Sequence, residues 1–164
     1  MAPSHTFNPD AVAASESLRL LSFSSAEAFE LGCAVRDKIL ADFVPKGEQA
    51  VVAVTAASGQ QLFFASAGEG TQLEHGNWAR RKHSAVLRWG KSSAALFLLW
   101  PEGIPSMFGV DTKDYAAAGG GVPLRVKGVE GIVGTVCVSG LAQEDDHQII
   151  VDCVEEFIKK QEAK

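Results

Sequence analysis

Ala50-Val51-Val52-Ala53-Val54-Thr55-Ala56, then Ala57-Ser58-Gly59-Gln60, then Gln61-Leu62-Phe63-Phe64-Ala65-Ser66: two β-prone runs stand on either side of a tight Ser-Gly turn. Val, Thr and Phe fit a pleated, half-buried surface, and so short a link joins strands only antiparallel. The stretch therefore predicts a hairpin. It decides the fold class because the segments on both sides of it read as helix. Upstream, Ser24-Ser25-Ala26-Glu27 has the form of a capping box, in which hydroxyl and carboxylate each satisfy an exposed amide. Ala28, Leu31, Val35 and Ile39 then recur at helical spacing, predicting a helix over 25–42 that Pro45 and Gly47 end. Before it, a shorter helix is expected from Asp10 to Leu21, behind a loose arm carrying Pro3 and Pro9.

Downstream, Leu73 to Gly90 is helical in pattern, with Trp78, Val86 and Trp89 marking its apolar face. Ser92-Ser93 restarts or continues the helix through Ala94 to Trp100, and Pro101 stops it. Thr112 to Ala118 reads as a short helix ended by Gly119-Gly120-Gly121. Val122 to Val126 and Ile132 to Val138 read as two strands joined near Gly128. Gln143 to Lys160 is a helix with Ile150, Val154, Phe157 and Ile158 as its stripe, and with Glu155–Lys159 and Glu156–Lys160 as favourably oriented i,i+4 pairs. The expected fold is α+β, a single domain with a central antiparallel sheet of about five strands flanked by helices. Residues 1–19 are read as the arm and the start of the first helix, and 20–164 as the domain.

The chain has 164 residues, 46% of them hydrophobic, and a formal net charge of −5. That length suits one domain, able to bury roughly 70% of its unfolded surface without disulfides or metal. The acidic balance argues against a nucleic-acid partner bound by bulk charge. The longest apolar run, Ala94 to Trp100, is far short of the ~20 residues of a membrane span. Met1 to Asp10 has no basic region followed by an apolar one, so the cytoplasm is the expected location. Cys33, Cys137 and Cys153 are widely spaced and set in apolar stretches, as buried reduced thiols are; no zinc-ligand spacing is present.

Charge is segregated. Thr71–Lys91 holds five basic residues and one acid, whereas Glu144–Lys164 holds seven acids and three lysines. These are two solvated helix faces, or the basic helix lines an anion-accepting pocket or meets the acidic helix of a second subunit.

Three segments can carry chemistry. On a helix, Asn77, Trp78, Arg81 and Lys82 present an amide, a guanidinium fork and an ammonium to a carboxylate or phosphate; alternatively Trp78 packs in the core behind a basic surface. Gly119, Gly120 and Gly121 allow positive φ and an amide cradle for an anion, or simply stop a helix before a strand. No Gly-Lys-Ser/Thr follows them, which excludes a Walker loop. Ser139 lies outside any Gly-x-Ser-x-Gly elbow, which argues against a hydrolase. Asp146 and His147 either line a pocket, with His147 as proton carrier or metal ligand, or belong to an acidic helix start favoured by the macrodipole.

In combination, Asn77-Trp78…Arg81-Lys82 with Ser92-Ser93, Tyr115-Ala116…Gly119-Gly120-Gly121-Val122-Pro123, and Gly134…Val138-Ser139-Gly140-Leu141…Asp145-Asp146-His147 resemble the haem-degrading-domain family (GlcG/HbpS-like), in its uncharacterised cytosolic branch. The resemblance runs from about Leu20 to Lys160. It implies a profilin-like α/β sandwich, homo-oligomers built from dimers, and a cleft at the subunit interface near Arg81, Lys82, the Gly119–Gly121 loop and His147. Some relatives bind haem, and haem enters here only as what the resemblance implies. The chain itself carries no Cys-Pro or Cys-x-x-Cys-His haem signature, and its residues assign no cofactor and no metal. Three functions follow: a homo-oligomer binding a small anionic metabolite through Arg81, Lys82 and the glycine amides; a scaffold recruiting a protein partner; and an enzyme or haem-binding protein using Asp146 and His147.

Overall fold

The structure, a computed structural model, describes residues 5–164; Pro3 and the rest of the expected arm's first four residues lie outside them. Among the described residues the α-helices and β-strands are α1 (Pro9–Ser15), α2 (Ser25–Asp42), β1 (Ala50–Ala56), β2 (Gln61–Ala67), α3 (Leu73–Trp89), α4 (Ser93–Leu99), β3 (Gly121–Leu124), β4 (Gly134–Ser139) and α5 (Gln143–Glu162). The sheet is antiparallel in the order β2-β1-β4-β3. It has four strands where the sequence suggested about five.

The hairpin β1–β2 forms as read, with Gly59 at φ +93° supplying a backbone geometry that side chains resist. Alternation along the strands then builds two unequal layers. Val52, Val54, Val136 and Val138 face α2 and α5 and join the main core with Leu31, Val35, Ile39, Ile150 and Val154. The opposite face, with Val51, Ala53 and Cys137, meets Ala79 of α3 in a much smaller cluster. α2 and α5 thus carry most of the hydrophobic burial, and α3 covers a thinner and more polar side.

Three readings of local structure need correction. The first helix ends at Ser15, not Leu21, because the Ser15 and Ser17 hydroxyls bond back to the carbonyls of Val12 and Ala14. Leu20 instead forms a parallel bridge to Val126 and is fully buried. Residues 112–118 form no helix: Asp111 caps a turn with its side chain on the Lys113 amide, and the Ala116 amide bonds to the Arg81 carbonyl at 3.2 Å. A seven-residue helix has little stability of its own, so these competing bonds prevail. Finally, the buried face of α3 is Ala79, Lys82, Ala85 and Val86, while Trp78 stays 37% exposed.

Candidate functional site

Capping positions α3. The Gln72 amide donates to His75 Nδ1 at 2.8 Å, and Gly90 closes the helix at φ +69°. Because the Arg81 carbonyl holds Ala116, the 110–118 segment hangs over the helix and encloses a cavity of about 350 Å³. Its walls include Trp78, Arg81, Phe97, Trp100, Tyr115 and Gln143. Behind it stands an aromatic cluster centred on Trp89, with Trp100, Phe108 and Tyr115 at 5.2, 5.6 and 5.6 Å between centroids. The Arg81 guanidinium carbon lies 4.1 Å from the Trp78 ring centroid, a cation–π contact. Arg81 Nε is buried with no hydrogen-bond partner, and among the described residues no acid pairs with this guanidinium.

One residue further on, Lys82 turns inward. Its ammonium donates to the Val138 carbonyl at 2.9 Å and to Asp146 Oδ2 at 3.3 Å, with both side chains 3% exposed. Asp146 Oδ1 accepts from the Leu141 amide at 3.0 Å. Burial outweighs the pull of Lys82 and of the Leu141 and Gly140 amides, raising the Asp146 carboxyl to about 6. The basic and acidic helices therefore meet inside one subunit, across a paired and hydrogen-bonded core.

The glycine loop closes over this pair. Gly120 sits at φ +121°, and a Cβ there would run into the Val138 carbonyl and come within 2.7 Å of Lys82 Nζ. The Gly119 amide donates to Gln143 Oε1 at 2.9 Å and the Gly121 amide to Ser93 Oγ at 2.8 Å. Two of the three expected cradle amides are thus already used by the protein. Ser139 is buried on the same sheet face and lines a second hollow of about 310 Å³ with Lys82, Asp146 and Trp78. That hollow shares Trp78, Ala118 and Gln143 with the aromatic cavity.

Asp146 and His147, adjacent on α5, diverge. His147 faces away from Lys82 into a hollow of about 250 Å³ under the N-terminal segment, its ring edge-to-face with Phe7 at 5.9 Å. Its Nδ1 is buried and unpartnered, and desolvation lowers its pKa against the counter-pull of Glu16. The two side chains do not form one acid–base pair. Asn77 is exposed on α3 and lines none of these hollows.

Sequence reasoning missed Trp100, Tyr115 and Gln143 as cavity walls. The aromatic residues at 89, 100, 108 and 115 were the available signal, but only the path of the 101–118 segment brings them together. Among the described residues no group of three or more His, Cys, Asp or Glu side chains is placed to hold a metal ion, and no helix is long and apolar enough to cross a membrane.

The chain belongs to the HbpS-like family of haem-degrading proteins, whose family model matches residues 23–155. Within that class it is similar to UPF0303 proteins: 34% identical over 145 residues to one from Psychromonas ingrahamii, covering 87% of each chain, and 36% identical over 140 residues to one from Zymomonas mobilis, covering 84% of this chain and 72% of the relative. The solved structure of the Ybr137w protein superposes with a TM-score of 0.87 at 26% identity, over 95% of this chain and 90% of that one. PduOC in complex with haem superposes with a TM-score of 0.63 at 19% identity, over 83% and 94%, a likeness of fold.

The family name implies haem, and the donor set tests it. Haem iron takes His, Cys, Met or Tyr. The aromatic cavity brings no His, Cys or Met, and its one oxygen donor of that kind, the Tyr115 hydroxyl, accepts from Arg88 at 3.3 Å. His147 lies in a smaller hollow beside Glu144 and Asp145, whose negative charges would repel haem propionates. Met107 stands 84% exposed, and Cys137 and Cys153 are buried thiols raised to about 11 by desolvation. These residues do not fit a haem in the aromatic cavity or in the hollow under the N-terminal segment.

Proposed function

We propose that the protein binds a small anionic molecule with a flat apolar body in the cavity between α3 and the 101–118 segment. The observation that carries this reading is Arg81: a guanidinium stacked on Trp78, its Nε buried and unpartnered, opening on a cavity walled by aromatic rings. Burying a donor without a partner costs about 1–3 kcal/mol, and a carboxylate or phosphate would offset that cost by bidentate contact. Lys82 and Asp146 serve as the floor of this region rather than as ligand contacts, since each already has its partners. The chain also associates with copies of itself. Supporting this are the outer edge of β2, which no strand pairs, and the apolar ring of Phe29, 58% exposed. The cytoplasm is its proposed location.

Native mass spectrometry at low activation, on protein purified gently from the cells that make it, tests the reading. The expected spectrum shows an oligomer carrying a small mass that is absent from Arg81→Ala, with the assembly otherwise unchanged. The same bound mass in both proteins, or none in either, would overturn the ligand cavity and favour a scaffold that recruits protein.

A further inference from the structure

His83 lies on the opposite side of α3 from the aromatic cavity, over the sheet face that the helix leaves open. Thr135, fully buried on β4, stands between two partners: the Cys137 thiol donates to its Oγ1 at 3.7 Å, and His83 Nδ1 is 2.7 Å from the same oxygen. A buried hydroxyl with two partners accepts from one and donates to the other, and an imidazole nitrogen is a far stronger acceptor than the Cys137 sulfur, so the Thr135 proton is assigned to Nδ1. The chain thus runs one way, Cys137 S–H to Thr135, Thr135 O–H to His83 Nδ1. The imidazole is then the tautomer with its proton on Nε2, and that N–H is left to the space outside.

That space is a cavity of about 380 Å³ between α3 and the β1–β2 hairpin, lined by Thr55, Gln61, Phe64, Gly76, Arg80 and His83. It differs in charge from the Arg81 cavity. Arg80, about half exposed, donates to the Lys113 carbonyl at 2.9 Å and has Asp114 3.9 Å away, so its charge is partly offset and screened by solvent. Burial holds His83 toward its neutral form. An anion would find here only a solvent-screened guanidinium already beside an acid, while an uncharged acceptor finds an oriented donor, an amide, a hydroxyl and an exposed ring.

We propose that this cavity is a second binding site, for an uncharged flat molecule whose carbonyl oxygen accepts from His83 Nε2–H while its ring lies on Phe64. The site is independent of the Arg81 cavity. Benzamide and benzoate, alike in shape and different in charge, serve as probes in NMR titrations of protein labelled at His and the aromatic residues. The expected result is an Nε2–H tautomer for His83, saturable benzamide shifts at His83 and Phe64, and no response of those signals to benzoate. His83→Ala should weaken benzamide binding, read at Phe64, by roughly tenfold, the worth of one neutral hydrogen bond. Arg81→Ala should leave it unchanged, which separates this site from the anion cavity. Thr135→Val should release the tautomer and Thr135→Ser restore it, so a general loss of fold is distinguishable from loss of the relay. An Nδ1–H tautomer in the wild-type protein, shifts at Trp78 and Trp100 in place of His83 and Phe64, or no shift at the solubility limit would each overturn the proposal.

Discussion

Arg81 and Lys82 are neighbours separated by one step of about 100° around α3, and they meet opposite fates. Lys82 is buried with a carbonyl and a carboxylate at 2.9 and 3.3 Å. Arg81 is half-buried, rests on a tryptophan ring and leaves Nε with nothing to bond. A charge sealed with its partners holds two helices and a loop in place. A buried donor without a partner is a structural cost, one that a bound partner would offset. Charge density on a helix says little about function until each cation's partners are known.

The sharpest way to break the contrast is to remove Lys82. Lys82→Ala leaves Asp146 buried and uncompensated, which costs roughly 3–5 kcal/mol and lowers the melting temperature by roughly 10 °C or more. The double variant Lys82→Met with Asp146→Leu should recover most of that loss in calorimetry, because replacing a buried pair by apolar groups of similar size is close to neutral. If the single variant melts within a degree or two of wild type, Lys82 is not the structural cation described here.

Gly120 comes next. Gly120→Ala places a methyl against the Val138 carbonyl at a φ of +121°, a conformation costing on the order of 1–3 kcal/mol. Urea denaturation should show a lower midpoint with an unchanged slope. A loop that served only a ligand would instead lose binding and keep its midpoint.

His147 has a smaller effect, seen through pH. Its pKa is lowered by burial, so below the ordinary histidine value the unfolded chain holds more protons than the folded one. Its contribution is intact above about 6.5 and is lost as pH falls through the window beneath that value. Asp146, raised to about 6, contributes a slope of the opposite sign that both proteins share, so between pH 7 and pH 5 the stability of His147→Phe should hold up better than that of the wild type. Equal slopes in the two proteins would mean that His147 is not held neutral beneath Phe7.

Much of the fold was legible because its signals are local. The hairpin has its turn glycine, α2 its Ser24 N-cap, and α5 its i,i+4 stripe. The failures lie where side chains bond to the backbone or where remote segments decide. Ser15, Ser17 and Asp111 redirect two short helices, and nothing periodic reports that. The site was legible in part. Trp78 and Arg81 do reach one cavity, but the inward turn of Lys82 depends on an acid 64 positions away, and the walls from Trp100 and Tyr115 depend on the path of an irregular segment.

Arg81 itself should matter least to stability and most to binding. Arg81→Ala removes an unpaired buried donor along with one cation–π contact, two terms of opposite sign, so the melting temperature should move by no more than ~0.5 kcal/mol equivalent. With millimolar benzoate the wild type should melt higher and the variant should not, since a charged hydrogen-bonding partner is worth roughly 1.5–3 kcal/mol. Arg81→Lys keeps the charge while losing the planar fork, and should restore only part of the stabilisation. Full restoration by lysine would show that charge alone matters and that the stacked geometry on Trp78 is incidental. A large fall in the unliganded melting temperature of Arg81→Ala would erase the contrast with Lys82 and make both residues structural.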